Sequence, residues 1–191
     1  VRTDDAVKAG DPLFEIDPTL YDAALRNARA QFDAAADAAG TAGEGLKKAA
    51  ATLEEKRVAL EAALKTFQEA RDAQAPDAPP SEQLTATAKG WQDALKAYKD
   101  AEAAFAAEQD KPLTVTTPTV QLRAASAQLA KGTHDRVKTH TTAPSDGILS
   151  NVTLRPGATV QAGQPLFAII EANRWWVDAN FKETDLARIK V

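Results

Sequence analysis

Two histidines, His134 and His140, are the side chains best suited to bind a metal or to transfer protons. They stand six positions apart, whereas a zinc-binding pair on a helix needs a spacing of three or four. The chain contains no Cys, which excludes disulfides, thiolate ligands and cysteine nucleophiles. We therefore expect both histidines to face solvent near a helix end, and we predict neither a metal nor a cofactor.

Other chemistry-bearing patterns are missing from the sequence. The carboxylates lie mainly on the flanks of predicted helices, which is typical of solvated faces. No phosphate-binding loop, nucleophile elbow or dinucleotide fingerprint occurs. The net charge is −4, and Lys and Arg are dispersed among Asp and Glu, which argues against a nucleic-acid partner. No apolar run approaches the roughly 18 residues of a membrane span. These patterns predict a protein that is not an enzyme.

A ten-residue segment occurs twice, as Val7–Ile16 and again as Val160–Ile169. Two copies are too few for a solenoid, which needs three or more units. We interpret the copies as two halves of one small β domain that an insertion separates. Only the second copy is preceded by residues that would supply its first strands, so we expect the domain to begin before Val1.

Short apolar runs alternate with Pro and Gly turns after Thr141, which predicts a series of short strands. Phe167 and Ile169 are expected to face one side of the last strand. Three glycines stand where turns need a positive φ, namely Gly147, Gly157 and Gly163.

This β pattern resembles the biotinyl/lipoyl carrier domain, a flattened β-sandwich of two quasi-symmetric halves. A carrier attaches its cofactor to a Lys at a hairpin tip. The corresponding segment here, Glu171–Arg174, ends in Arg, whose guanidinium stays protonated and cannot accept an acyl group. The tip of the first half, Asp17-Pro18, also lacks a nucleophile. A biotin or lipoate carrier is therefore only a remote alternative.

Between the β segments, large apolar residues recur every seven positions without a slip. This row comprises Leu25, Phe32, Ala39, Leu46, Leu53, Leu60 and Phe67. A second row, offset by three positions, is mostly Ala, and the two rows predict a coiled-coil seam. Since the register passes unbroken through Gly40, Gly43 and Gly45, we expect one helix over residues 19–75 that bends at the glycines. Such a helix would measure roughly 85 Å.

A second helix is predicted to return along the first. Prolines within Gln74–Ser81 end the first helix, and Ser81 is a suitable N-cap for the next one. Apolar residues then recur every seven positions, at Leu84, Trp91, Tyr98 and Phe105. The segment 110–118 breaks this pattern, so we expect two helices over 82–109 and 118–138. Thr117 and Pro118 form the predicted N-cap and first-turn pair of the second.

These features together resemble the HlyD-type periplasmic adaptors, also called membrane fusion proteins, and within them the EmrA-type branch. The tail Trp176–Thr184 resembles the strand by which such adaptors enter a β-barrel, and Asp17-Pro18 and Thr142–Gly147 also suit that branch. The expected fold class is α+β, mainly α: a long antiparallel coiled-coil hairpin inserted between two halves of a lipoyl-like β-sandwich, followed by the start of a truncated β-barrel. The predicted boundaries are 1–17 and 141–173 for the β halves, 18–140 for the hairpin and 174–191 for the barrel segment.

The resemblance implies an adaptor subunit of a tripartite efflux system, located in the periplasm and anchored to the inner membrane. Such adaptors assemble as homo-oligomeric rings. They link an inner-membrane transporter, here of the major-facilitator type, to a TolC-like outer-membrane channel. An adaptor of type I protein secretion, which serves an ATP-binding-cassette exporter, shares the architecture and is the main alternative.

The hairpin tip, at about residues 74–84, is predicted to bind a partner, because it is the part of an elongated hairpin that reaches a distant protein. Many adaptors carry an Arg, Leu and Ser pattern there. Arg71 and Ser81 match it, but Ala75 stands where Leu is expected. The alternative roles are a solvated helix flank for Arg71 and a plain helix cap for Ser81. The predicted surface comprises Arg71, Gln74, Pro76, Asp77, Pro79, Pro80, Ser81 and Leu84.

Overall fold

Helices make up most of the protein in its computed structural model, which describes residues 3–74 and 81–171. Within these ranges, two small sheets accompany four α-helices, in agreement with the predicted mainly α class. In chain order the elements are β1 (Ala6–Val7), β2 (Pro12–Glu15), α1 (Thr19–Ala39), a 3₁₀ turn (Gly40–Gly43), α2 (Glu44–Asp72), α3 (Glu82–Gln109), α4 (Thr117–Lys138), β3 (His140–Thr142), β4 (Gly147–Ser150) and β5 (Ala168–Glu171).

Distant parts of the chain meet in each of two compact units. In the first unit, an antiparallel sheet has the strand order β1-β4-β5, and Ile148 of β4 stands opposite both Ala6 and Ile170. The second unit comprises Gly10–Thr142 and therefore contains all four helices. In it β2 pairs antiparallel with β3, so that Phe14 lies opposite Thr141.

Two glycines at equivalent positions of the repeat share an unusual backbone conformation. Gly10 has a φ of 90° and Gly163 a φ of 82°, which is the left-handed region that favours glycine. Gly157, at 80°, also takes the predicted positive φ. Gly147 does not, and the prediction was wrong there. Its role is steric, because a Cβ at this position would lie 2.5 Å from the carbonyl oxygen of Ile170 on the neighbouring strand.

The first predicted helix is broken into two. Helix α1 ends at Ala39, a 3₁₀ turn follows, and α2 starts at Glu44, so the prediction of one helix over residues 19–75 was wrong. Gly40, with a φ of 59°, leaves the helical region at the break. Each glycine costs about 1 kcal/mol relative to Ala inside a helix, and the segment contains three close together. Their combined cost favours a turn over the predicted bend.

Helix α2 folds back along α1, so the predicted elongated hairpin, in which the two segments would form one long helix, was also wrong. The guanidinium of Arg29 on α1 donates a hydrogen bond to the carbonyl of Ala50 on α2, at 3.3 Å. The rings of Phe32 on α1 and Phe105 on α3 meet edge to face, with centroids 6.2 Å apart. Contacts are most extensive between α1 and α4 and between α2 and α3. The four helices therefore form a bundle of two antiparallel pairs.

The width of the apolar stripe explains why a bundle forms. The predicted row of large residues is buried, apart from the half-buried Ala39. A third row, four positions after Phe32, Leu46 and Leu60, is buried as well. Its members are Ala36, Ala50 and Leu64. Two rows suffice for a coiled-coil partner, whereas a wider stripe indicates a helix that packs on more than one neighbour.

The returning helices begin with capped N-termini. The Ser81 hydroxyl accepts a hydrogen bond from the Leu84 amide at 3.1 Å, which confirms the predicted cap of α3. Helix α3 ends at Gln109 and α4 starts at Thr117. The cap of α4 is Thr116 rather than the predicted Thr117, because the Thr116 and Thr119 side chains form a reciprocal capping box.

Candidate functional site

One described residue of the predicted tip, Arg71, contacts a strand of the same unit. A guanidinium nitrogen of the half-buried Arg71 donates to the Pro12 carbonyl of β2, at 3.2 Å. Its alternative role as a freely solvated flank is therefore wrong. The Gln74 side-chain oxygen accepts a hydrogen bond from the Ser81 amide at 3.1 Å, which joins the two ends of the segment between α2 and α3. Leu84 is half-buried and packs against the helical core.

The other four residues of the predicted surface lie outside the described residues; they are Pro76, Asp77, Pro79 and Pro80. The structure thus brings Gln74, Ser81 and Leu84 together at the start of α3. It places Arg71 against β2, whereas the tip of an elongated hairpin would lie far from the strands.

A buried arginine that the sequence analysis missed joins three helices. The Arg136 side chain on α4 is only 8% exposed. Its Nε lies 2.5 Å from an Asp22 oxygen on α1, and its Nη2 lies 2.9 Å from a Glu61 oxygen on α2. Its Nη1 also donates to the Thr139 hydroxyl, at 3.1 Å. A buried guanidinium requires such partners, because desolvation without them would be costly.

Helix α2 carries the second part of this ion-pair network. Arg57 lies 2.6 Å from both Glu54 and Glu61, its neighbours three and four positions away on the helix. The hydrogen bonds from Arg57 lower the pKa of Glu54, although burial opposes this effect. The same hydrogen bonds raise the pKa of Arg57. Both groups therefore stay charged, and Glu61 is shared by Arg57 and Arg136.

The sequence held two signals for this network. Arg136 continues the seven-residue row of Leu122 and Leu129, so it occupies a core position of α4. Glu54 and Glu61 flank Arg57 at the spacings that bring helical side chains together. A charged residue in an apolar row predicts a buried ion pair, but only the fold identifies Asp22 and Glu61 as its partners.

The network borders a cavity of about 600 Å³ between the helix pairs. Its lining comprises Asp22, Leu25, Arg26, Arg29, Ala30, Asp33, Glu54, Arg57, Glu61, Leu129 and Arg136. Every carboxylate among these residues is ion-paired with an arginine. The arrangement is therefore suited to hold helices together, and it presents no nucleophile with a neighbouring base.

The two histidines have different surroundings. His134 is 51% exposed and lies 3.0 Å from Glu102, in agreement with the predicted solvent-facing position. The side chain of His140 is only 10% exposed, so the same prediction was wrong there. Burial lowers the pKa of His140 and the nearby Arg136 lowers it further, while Glu15 and Glu61 oppose the shift. A neutral His140 can accept the hydrogen bond that Arg136 donates to its Nε2, at 3.2 Å.

Residues 3–74 and 81–171 contain neither a cluster of metal ligands nor a membrane-spanning helix. No three His, Asp or Glu side chains converge there as metal ligands would. No described helix is both long enough and apolar enough to span a bilayer. Of the carrier-like segment only Glu171 is described, and the barrel-like tail Trp176–Thr184 lies outside the described residues.

Known proteins resemble this chain over different lengths. A family described as RND MFP, barrel-sandwich hybrid domain, matches residues 1–172. Multidrug resistance protein MdtN of Shigella flexneri is 30% identical over 201 residues, which cover 100% of this chain and 57% of MdtN. Multidrug export protein EmrA of Escherichia coli (strain K12) is 39% identical over 54 residues, which cover 28% of this chain and 14% of EmrA. A solved structure of the periplasmic adaptor protein EmrA aligns with a TM-score of 0.42 and 18% identity, covering 100% of this chain and 73% of that one.

The family match extends over most of the chain, whereas the chain spans about half the length of MdtN and a smaller part of EmrA. The match agrees with the resemblance to HlyD-type, EmrA-like adaptors that the split repeat and the tail had indicated. This chain therefore belongs to the RND membrane fusion protein family, and it contains the barrel-sandwich hybrid domain of that family.

Proposed function

We propose that this chain is part of a periplasmic adaptor in a multidrug efflux system, and that it acts by binding partners rather than by catalysis. The family match over residues 1–172 carries this proposal. The names of MdtN and EmrA, multidrug resistance and multidrug export proteins, favour drug efflux over type I protein secretion. The ion-paired carboxylates of the cavity support a structural role for its charges.

The proposed partners are an inner-membrane transporter of the major-facilitator type and a TolC-like outer-membrane channel. The local identity with EmrA supports this choice, together with the EmrA-like segments Asp17-Pro18 and Thr142–Gly147. We further propose that the whole protein is anchored to the inner membrane and assembles as a ring in the periplasm. In each of the strand pairs β1–β4 and β2–β3, one strand would come from the first lipoyl-like half and the other from the second. Residues 174–191 would begin the barrel.

The proposed partner-binding surface is the segment between α2 and α3 with its flanks. Its ends are held by the Gln74–Ser81 hydrogen bond and by the cap of α3, so the residues on either side of 75–80 are fixed in the bundle. Three of those six residues are prolines, which restrict the backbone and reduce the entropy lost on binding.

The test is drug resistance in a strain whose own copy of the full-length gene is deleted. Deletion should lower the inhibitory drug concentration, and the full-length protein should restore it. A variant in which Gly and Ser replace residues 75–80 should fail to restore resistance while its circular dichroism stays unchanged. The matched control replaces two exposed residues of α3, Lys99→Ala with Asp100→Ala, and should restore resistance in full.

The outcomes separate the protein's function from the position of its binding surface. Unchanged drug sensitivity after deletion in a strain free of related pumps would contradict the efflux function. Full resistance in the Gly/Ser variant would contradict only the assignment of the surface to residues 75–80. Cross-linking the restored protein in cells and identifying the transporter would separate a major-facilitator partner from an ATP-binding-cassette exporter.

A further inference from the structure

One ring nitrogen of His140 on β3 faces both a hydrogen-bond donor and an acceptor. This nitrogen, Nε2, lies 3.2 Å from Nη1 of Arg136 on α4 and 3.6 Å from Oε1 of Glu15 on β2. Glu15 stands opposite His140 in the pairing of β2 with β3. Because the His140 side chain is only 10% exposed, water competes little for this nitrogen. Its protonation state therefore decides which of the two residues it can bind.

Neutral His140 can bind Arg136 but not Glu15 through this nitrogen. A guanidinium has only donors, so Nε2 must be unprotonated to accept its hydrogen bond. An unprotonated Nε2 has no hydrogen to donate to the Glu15 carboxylate. Burial and the charge of Arg136 lower the pKa of His140 and favour this neutral form, whereas Glu15 and Glu61 of α2 oppose it. The contacts of the folded structure are thus those of neutral His140.

A proton on Nε2 exchanges the two partners. The protonated nitrogen is a donor, so it can bind the Glu15 carboxylate and can no longer accept from Arg136. Two positive groups would also lie 3.2 Å apart, which favours their separation. The Glu15 side chain is 39% exposed and the Arg136 side chain only 8% exposed, so the carboxylate is the freer partner to approach the ring. The proton therefore strengthens the β2–β3 contact at the expense of the contact with α4.

The loss of His140 as an acceptor affects the helices, because Arg136 joins three of them. Its other N–H groups are bound to Asp22 of α1, Glu61 of α2 and the Thr139 hydroxyl. An N–H group left without an acceptor in this buried position is unfavourable, so we expect the guanidinium to shift. Any shift changes the hydrogen bonds and ion pairs that connect α4 to α1 and α2.

We propose that His140 is a proton-operated switch between the helices and the β2–β3 pair. In its neutral state it accepts a hydrogen bond from Arg136 and joins β3 to α4. In its protonated state it releases Arg136, donates to Glu15 and loosens the point at which α1, α2 and α4 meet. The use of this switch by an adaptor rests on the proposed function, whereas the switch itself does not.

The experiment is a nuclear magnetic resonance titration of the full chain, labelled with ¹⁵N and ¹³C, from neutral to mildly acidic pH. It follows the ring of His140, the Nε–H group of Arg136 and the carboxyl carbon of Glu15. We expect the three signals to change with one common midpoint, which lies below the ordinary histidine pKa of about 6.5. Protection of the Arg136 Nε–H group against exchange with water, corrected for the intrinsic effect of pH, should fall at least threefold across this midpoint.

Two variants separate the exchange of partners from simple titration of a buried ring. Glu15→Gln removes the acceptor of the protonated state, so the midpoint of His140 should fall by about half a pH unit or more. His140→Gln cannot take up the proton and should abolish the change in the Arg136 signal. The matched control is Glu102→Gln, which removes the carboxylate beside the other histidine, His134, and should leave the midpoint of His140 unchanged.

An Arg136 signal that stays constant while His140 titrates would overturn the switch. An equal midpoint in Glu15→Gln and the wild type would overturn the role of Glu15 as the second partner. A wild-type midpoint above that of an ordinary histidine would overturn the neutral resting state. None of these results depends on drug resistance, so the switch and the efflux function can fail separately.

Discussion

Arg136 of α4 lies 2.9 Å from Glu61 of α2 while it also binds Asp22 of α1. Asp22 and Glu61 are 39 positions apart, which would separate them by about 58 Å in one continuous helix. A single guanidinium can reach both only because the chain turns at Gly40–Gly43. This contact is the clearest sign that the helical unit is a folded bundle.

Substitution by Phe should change the free energy of unfolding in opposite directions at two aromatic residues of α3. Trp91→Phe removes a hydrogen bond from the indole to the Gly10 carbonyl at 2.9 Å and leaves space in the core. We expect it to lower the free energy of unfolding by about 2 kcal/mol. Tyr98→Phe removes a buried hydroxyl without a described partner, so we expect a gain of about 1 kcal/mol. Urea unfolding followed by far-ultraviolet circular dichroism measures both, and a loss in Tyr98→Phe equal to that in Trp91→Phe would be inconsistent with these contacts.

Substitution by Ala should destabilise the structure at one glycine and stabilise it at another. At Gly147 a Cβ would lie 2.5 Å from the Ile170 carbonyl oxygen, so Gly147→Ala should destabilise β4 by about 2 kcal/mol. At Gly90 on α3 no atom beyond the nearby backbone of the same helix lies within 4 Å of the added Cβ, and Ala is favoured in a helix by about 1 kcal/mol. Amide hydrogen exchange should become faster in β4 for Gly147→Ala and slower in α3 for Gly90→Ala. Unchanged exchange in β4 would show that the strands readily separate to admit the methyl group.

Stability should fall in mildly acidic solution because of His140. Burial lowers its pKa in the folded state, so the unfolded chain binds more protons below its own histidine pKa of about 6.5. Neutral His140 therefore contributes to the free energy of unfolding above that pH, and this contribution is lost as the pH falls toward the folded-state pKa. The groups that face His140 are Glu15, Arg136 and Glu61.

The free energy of unfolding between pH 7.5 and 5.5 measures this effect. His140→Gln should flatten the decline, because it removes the buried titrating group. The control is His134→Gln, which replaces the exposed histidine and should keep the decline of the wild type. An equally steep decline in His140→Gln would assign the pH dependence to another group.

The sequence predicted local features more reliably than the arrangement of the helices. The row from Leu25 to Phe67 identified core residues, and Ser81 identified a helix start, because periodicity and capping depend on nearby residues. A helix with three clustered glycines can either continue with a bend or stop at a turn. The outcome depends on whether the third apolar row has another helix to pack against. The third buried row, with Leu64, provides that packing, and its importance is visible only once the helices are placed.

The candidate site was predictable only in part. The segment between α2 and α3 follows from its prolines, and its flanking Gln74–Ser81 contact is local. The position of Arg71 beside Pro12 could not be predicted, since 59 positions separate the two residues and their meeting depends on the turn at Gly40–Gly43. The same holds for the ion pair between Arg136 and Glu61.

A double-mutant cycle between Arg136 and Glu61 tests the folded bundle most directly. Arg136→Ala, Glu61→Ala and the double variant are unfolded in urea, and the coupling free energy is calculated from the three changes. We predict a coupling of at least about 1 kcal/mol, because the residues are in contact and one of them is buried. Effects that add within about 0.3 kcal/mol would place the two residues far apart, as in a straight hairpin, and would contradict the bundle.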